Sequence, residues 1–211
     1  MQTHADALMP PIADQPLADL LGALASKTPA PGGGAAAGLL GAAGAALAGM
    51  VVAYSIGKKA HEADRDMLEQ ASGTLESMRT RFLSLADEDA AAYAALNALQ
   101  KRDADDPVRL RDEPSALQRA IDAPEAARVL ALDLLALCET LVGRTNRWLA
   151  SDLAIAGVAA EAATAAAGWN VRINAPGLPE PDRSAALERV ESGRERAAAA
   201  RARIEAACAG G

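Results

Sequence analysis

Five short polar groups interrupt an otherwise alanine-rich chain, and each has residue types and a spacing that could do chemistry. The first is Pro29-Ala-Pro-Gly-Gly-Gly34, a glycine run that leads into a helical pattern. Free backbone N–H groups and the positive dipole end at a helix start form a site for an anion or a carbonyl oxygen. Gly32, Gly33 and Gly34 are its candidates, although the same glycines also suit a tight entry turn. No Gly-Lys-Ser/Thr follows, so this is not a P-loop. The second group, Lys58-Lys59, offers two cations, or a solvated pair complementing a helix C-terminus. The third is Asp87-Glu88-Asp89, with Tyr93 four residues beyond Asp89 and so on its face. Successive acids on a helix usually face water, but a carboxylate beside a phenol can serve as an acid/base and orienting pair.

The fourth group is Asn146 with Ser151-Asp152, ahead of an apolar helix; these are also preferred helix-capping residues. The last is Trp169-Asn170-Val-Arg172-Ile-Asn174. Asn170 and Asn174 share a face if the helix continues, and amides both donate and accept, as a heterocycle edge demands. Five polar islands between packed alanine helices read as one convergent site.

The elements that must position these residues are helices. Alanine, the strongest helix former, makes up about a quarter of the 211 residues, and only 2% are aromatic. That composition excludes a β-sandwich or barrel and the ring platforms that bind single-stranded nucleic acid. A net charge of −7 gives no basic footprint for nucleic acid in general. His4 and His61 lie far apart and Cys138 and Cys208 fit no ligand spacing, so no metal site is expected. Two isolated cysteines and no visible secretory signal make a cytoplasmic location the expectation.

The chain reads as a single domain with a loose leader over 1–15. A short helix is predicted over Leu17–Ser26, with Leu17, Leu20, Leu21 and Leu24 on one face. An Ala/Gly helix follows to about Ile56, and a long helix over 61–101 carries Leu68, Leu75, Met78, Phe82, Leu85 and Leu96. Lys101–Pro114 is expected to be a loop, and Pro124 to open a leucine-rich helix to about Val142. An Ala-rich helix from Asn146 to about Gly168 and a charged one over 182–208 complete an all-α bundle of five to six helices. Thr28 to Gly57 carries no charge and could span a bilayer by length, but Ala and Gly insert weakly and no second such stretch is evident. A buried helix, and no membrane partner, is the expectation.

In this order the islands resemble the cyclodeaminase/cyclohydrolase family of folate one-carbon enzymes. The matching stretches are TPAPGGGAAAGLLGAAGAALAGMVVAYSIGKK at 28–59, DEDAAAY at 87–93, AIDAPEAARVLAL at 120–132 and TNRWLASDLAIAGVAAEAATAAAGWNVRINAPGL at 145–178. Three positions depart from the pattern: Ala60 and His61 follow the lysines, and Tyr93 stands where Phe is common. The resemblance implies an all-helical homodimer that acts on a tetrahydrofolate derivative as substrate, with no separate cofactor.

The implied reaction is hydrolysis of the 5,10-methenyltetrahydrofolate cation to 10-formyltetrahydrofolate. A cyclodeaminase closing a formimino group with loss of ammonia is the alternative, and a catalytically silent scaffold of the same fold a third. Hydrolysis of a cation that is already electrophilic needs a placed water, a base and an acid for the departing nitrogen. Asp89 and Asp152 are the candidate carboxylates, with Lys58 as a donor to the developing oxygen. Asn146, Asn170 and Asn174 could read the pterin edge, while Ser151 and Tyr93 line the site. The Gly32–Gly34 amides, with Lys59 or Arg172, could hold a carboxylate.

Overall fold

The alanine- and glycine-rich patterns fold into six α-helices joined by short turns among the residues described, 10–28 and 30–210, of a computed structural model. A 3₁₀ turn, Ile12–Asp14, precedes α1 (Leu17–Leu24). Then come α2 (Gly33–Ala53), α3 (Arg65–Gln100), α4 (Pro107–Leu141), α5 (Ala150–Asn174) and α6 (Asp182–Ala209). Most of the expected leader, and Pro29, lie outside the described residues. The part described is anchored: Ile12 is buried, and its backbone N–H donates to Asp87 Oδ1 at 3.1 Å.

Helix α2 sits between α3 and α5, with α4 beneath it, because one face lacks side chains. A Cβ at Gly38 would stand 2.7 Å from Phe82 O, and one at Gly41 2.4 Å from the Phe82 ring. On the other flank, a Cβ at Gly44 would meet Ala156 O at 3.1 Å. Glycine therefore lets both neighbours approach until the main core forms around Phe82, Leu134, Leu135 and Leu153. The stripe Ala156, Ala160, Ala163 and Ala167 on α5 is fully buried, as its spacing predicts. After α2 the chain turns at Gly57, whose φ of +75° favours glycine.

Several boundaries differ from the sequence expectation. The expected loop at Lys101–Pro114 is confined to 101–106, because Asp106 caps α4 by accepting from the backbone N–H of Val108 at 2.8 Å and Arg109 at 3.2 Å. Pro107 then occupies the first turn, where its missing N–H is harmless, while Pro114 and Pro124 lie inside the helix. A proline in a helix interior costs about 3 kcal/mol. Burial of Ala116, Ala120, Ile121 and Ala127 along α4 supplies the compensating packing. In α1 only Leu20 is buried; Leu17 and Leu21 face solvent.

Helix α5 starts at Ala150, later than expected, and continues past Gly168 to Asn174. Two segments are long and apolar enough to cross a bilayer by length and composition, Gly33–Ala53 and Arg147–Gly177. The second was not anticipated from the sequence. Helix α2 is packed into the bundle on three sides, whereas the outer face of α5 is left uncovered.

Candidate functional site

At the N-terminal end of α2 the three neighbouring helices diverge and leave a cleft of about 500 Å³. Gly32, Gly33 and Gly34 form its floor, Asp89, Tyr93 and Gln100 come from α3, Ala120 from α4, and Asn170, Ile173 and Asn174 from α5. Such a volume suits one small organic molecule. No side chain caps α2, so its first backbone N–H groups remain available at the floor. Glycine is required here for contact rather than for turn conformation. A Cβ at Gly34 would lie 1.8 Å from Asp89 Oδ2, and one at Gly33 3.0 Å from Asn170 Oδ1.

The three successive acids of α3 have three different surroundings. Asp87 holds the leader through Ile12. Glu88 is exposed, pairs with Arg81 and accepts from Ser84 Oγ at 2.9 Å, which keeps its carboxyl below the usual range. Asp89 alone faces the cleft, in no ion pair among the described residues, and burial pushes its pKa up to about 6. A carboxyl poised there is ionised at neutral pH and basic enough to take a proton.

Asn170 faces Asp89 across the α2 N-terminus. Its Nδ2 is buried and has no hydrogen-bond partner, which is unusual for a buried amide. Asn174, one turn on, donates through Nδ2 to Ala120 O at 2.9 Å and to Asn170 O at 3.1 Å, tying α5 to α4. Beneath the cleft, a niche of about 10 Å³ is bounded by Asp89, Asn170, Gly34 and apolar neighbours. That is about the space of one water, with two polar partners in reach.

The remaining candidates do not join this cleft within one chain. Lys58 and Lys59 are exposed beyond the opposite end of α2. The 21 residues of α2 alone rise about 31 Å, so neither lysine reaches the glycine floor. Asp152 and Ser151 lie in the first turn of α5, about 27 Å from Asn170 along the same helix. Asn146 sits at that far end too: its Oδ1 accepts from Trp148 N at 3.1 Å, and its own N–H donates to buried Ser55 Oγ at 2.8 Å. Arg172 turns away from the cleft, pairing with Glu191 at 3.3 Å and stacking over Trp169. The expected single convergent site is therefore two clusters at opposite ends of the bundle. The sequence reading missed Gln100 and Ile173. The helical recurrence 89, 93, 100 would have found Gln100, which lies three turns beyond Asp89 on the same face. Among the described residues, no three His, Cys, Asp or Glu side chains converge as metal ligands.

Fold and site together define an all-helical protein with a cleft of small-molecule size built on a glycine-started helix and one carboxylate in no ion pair among the described residues. The chain belongs to the formiminotransferase-cyclodeaminase family, whose model matches residues 16–192. It is 33% identical over 175 residues to the methenyltetrahydrofolate cyclohydrolase of Methylorubrum extorquens, covering 81% of this chain and 83% of that protein. It is 31% identical over 170 residues to the formimidoyltransferase-cyclodeaminase of Sus scrofa, 76% of this chain but 30% of the longer protein. The crystal structure of formiminotetrahydrofolate cyclodeaminase from Thermotoga maritima superposes with a TM-score of 0.86 at 26% identity, over 94% of this chain and 98% of that one.

Proposed function

We propose that the protein is a folate one-carbon enzyme that hydrolyses 5,10-methenyltetrahydrofolate to 10-formyltetrahydrofolate. The observation that carries this reading is Asp89: a carboxylate in no ion pair, raised to about 6, aimed into the cleft beside a water-sized niche and the orphan amide of Asn170. An amidinium cation in the cleft supplies the counter-charge that Asp89 lacks. Asn170 Nδ2 donates to a water in the niche, and Asp89 accepts its proton as the new C–O bond forms. The neutral adduct then opens at its bond to N5. N5 takes up a proton from Asp89, the formyl group stays on N10, and the hydroxyl proton leaves to solvent. The α2 N-terminal amides and Asn174 hold the rest of the molecule.

The similarity to a free-standing cyclohydrolase over most of both chains supports hydrolysis. Two free thiols, Cys138 and Cys208, fit the cytoplasmic location included in the proposal. The cyclodeaminase alternative draws on the named Thermotoga maritima neighbour. Two parallel assays separate the readings: absorbance decay of 5,10-methenyltetrahydrofolate, and ammonia release from the formimino derivative. Hydrolysis much faster than ammonia release is expected. The reverse would transfer the site to cyclodeamination, and no turnover in either would leave a scaffold.

A further inference from the structure

Left to itself, the first turn of α2 would be the loosest part of that helix. It opens with Gly33 and Gly34, which have low helix propensity, and no side chain caps it. Such a turn frays unless tertiary contacts hold it. Yet the cleft needs it closely placed, because Gly34 lies directly against the Asp89 carboxylate, where a Cβ would come within 1.8 Å of Oδ2. What holds the turn lies on its other flank. Ala35, the next residue, is buried in a small core with Ile12, Leu20 and Ala86.

That core joins the segment Ile12–Leu24 to α2 and α3. The segment has little apolar area with which to hold itself there: in α1 Leu20 is buried, while Leu17 and Leu21 face solvent. One polar bond fastens it. The Ile12 N–H donates to Asp87 Oδ1 at 3.1 Å, partly shielded from water and across 75 positions of sequence. Asp87 and Asp89 stand two residues apart, about 200° around α3. One carboxylate therefore grips the segment on one side of the helix while the other faces the cleft.

We infer that Asp87 is a positioning residue for the cleft: by holding Ile12 it clamps this segment over the first turn of α2 and so fixes that turn against Asp89. The inference rests on the reading of Asp89 as the proton acceptor. Asp89 is the one charged side chain that lines the cleft or the niche, and Tyr93 the other titratable group there. To that lining α2 brings glycine and alanine, α4 alanine and proline, and α5 asparagine and apolar residues. Burial, not a neighbouring charge, is what raises Asp89. Loosening the turn admits water to the niche and lets the carboxyl fall back toward its ordinary value.

The test compares Asp87→Ala, which removes the acceptor, with Asp87→Asn, which keeps an oxygen in place but removes the charge. In Asp87→Ala the midpoint of the kcat/KM profile for 5,10-methenyltetrahydrofolate should move down by about one pH unit, and its plateau should fall about tenfold. Asp87→Asn should restore both, since an amide oxygen accepts the same bond. Leu20→Ala loosens the clamp through packing alone and should shift the midpoint in the same direction, even if Asp87→Ala does not fold. An unmoved midpoint in folded Asp87→Ala would make the bond merely structural and overturn the inference. An equal shift in Asp87→Asn would assign the effect to charge and overturn it too. The midpoint is also read without turnover, from the NMR shift of the Asp89 carboxyl carbon, assigned by its loss in Asp89→Asn. Titration at lower pH in Asp87→Ala than in wild type supports the clamp even where the wild type hydrolyses nothing, and the functional reading alone then fails.

Discussion

Asp89→Asn should make the protein more stable and nearly inactive, with the gain confined to one side of a pH boundary. Burial raises the folded-state pKa of Asp89 from 3.8 to about 6. Between those values the folded protein binds a proton that the unfolded chain has released, so the stability linked to this proton is full below about pH 4 and lost as pH rises through about 6. A difference of about two pH units corresponds to about 3 kcal/mol, carried as a penalty at neutral pH. Asparagine has nearly the same shape and no charge to desolvate. At pH 7.5 it should recover about 1–3 kcal/mol, allowing for solvent in the cleft, or roughly 3–10 °C in Tm for a chain of this size. At pH 4 the two proteins should melt alike. Thermal unfolding by circular dichroism at both pH values is the assay. An Asn variant that gains nothing at pH 7.5, or gains equally at pH 4, would refute the claim that an unpaired, buried carboxylate sits in the cleft.

The other expectations follow from the same geometry. The kcat/KM for the methenyl cation should rise about tenfold per pH unit up to about 6 and then level, while the kcat profile shifts to lower pH because a bound cation favours the carboxylate; a profile flat from pH 5 to 8 would exclude Asp89 as the base. Asn170→Ala removes an amide whose Nδ2 has no partner in the free protein, so it should cost little stability yet weaken substrate capture about 10–100-fold in kcat/KM; unchanged kinetics would remove Asn170 from the site. Gly34→Ala would place a methyl 1.8 Å from Asp89 Oδ2, driving the carboxylate out of position. It should lower kcat at least about 100-fold while costing about 1–3 kcal/mol in denaturant titration, and a normal kcat would show that Asp89 is not held by that glycine.

Much of the fold was legible in the sequence because alanine, glycine and leucine leave periodic traces. The buried stripes Leu68–Leu75–Phe82 on α3 and Ala156–Ala160–Ala163 on α5 are the ones their spacing marks. Prolines misled: Pro107 reads as a helix breaker but stands in a first turn capped by Asp106, and Pro114 and Pro124 are carried by packing that local sequence does not reveal. Half of the candidate site was readable for a simple reason. The glycine run marks the start of α2, and Asp89 and Tyr93 share a helical face, so the cleft assembles from local rules. The separation of the five islands into two clusters was not, although helix length bears on it. Lys58 follows Gly33 across 21 residues of helix, and a rise of about 1.5 Å per residue forbids their meeting in one chain. Which of the three acids faces the cleft is set by contacts of two kinds: Asp87 is drawn off by the tertiary bond from Ile12, and Glu88 by Arg81 two turns back on the same helix.

The central claim is that the cleft hydrolyses a folate cation through Asp89. The most direct measurement is the initial rate of absorbance loss of 5,10-methenyltetrahydrofolate at pH 7.5, with wild-type protein, with Asp89→Asn and without protein. The account predicts strong acceleration by the wild type and at least about 100-fold less by the variant. Equal rates for the two proteins, or a wild type no faster than buffer, would contradict it.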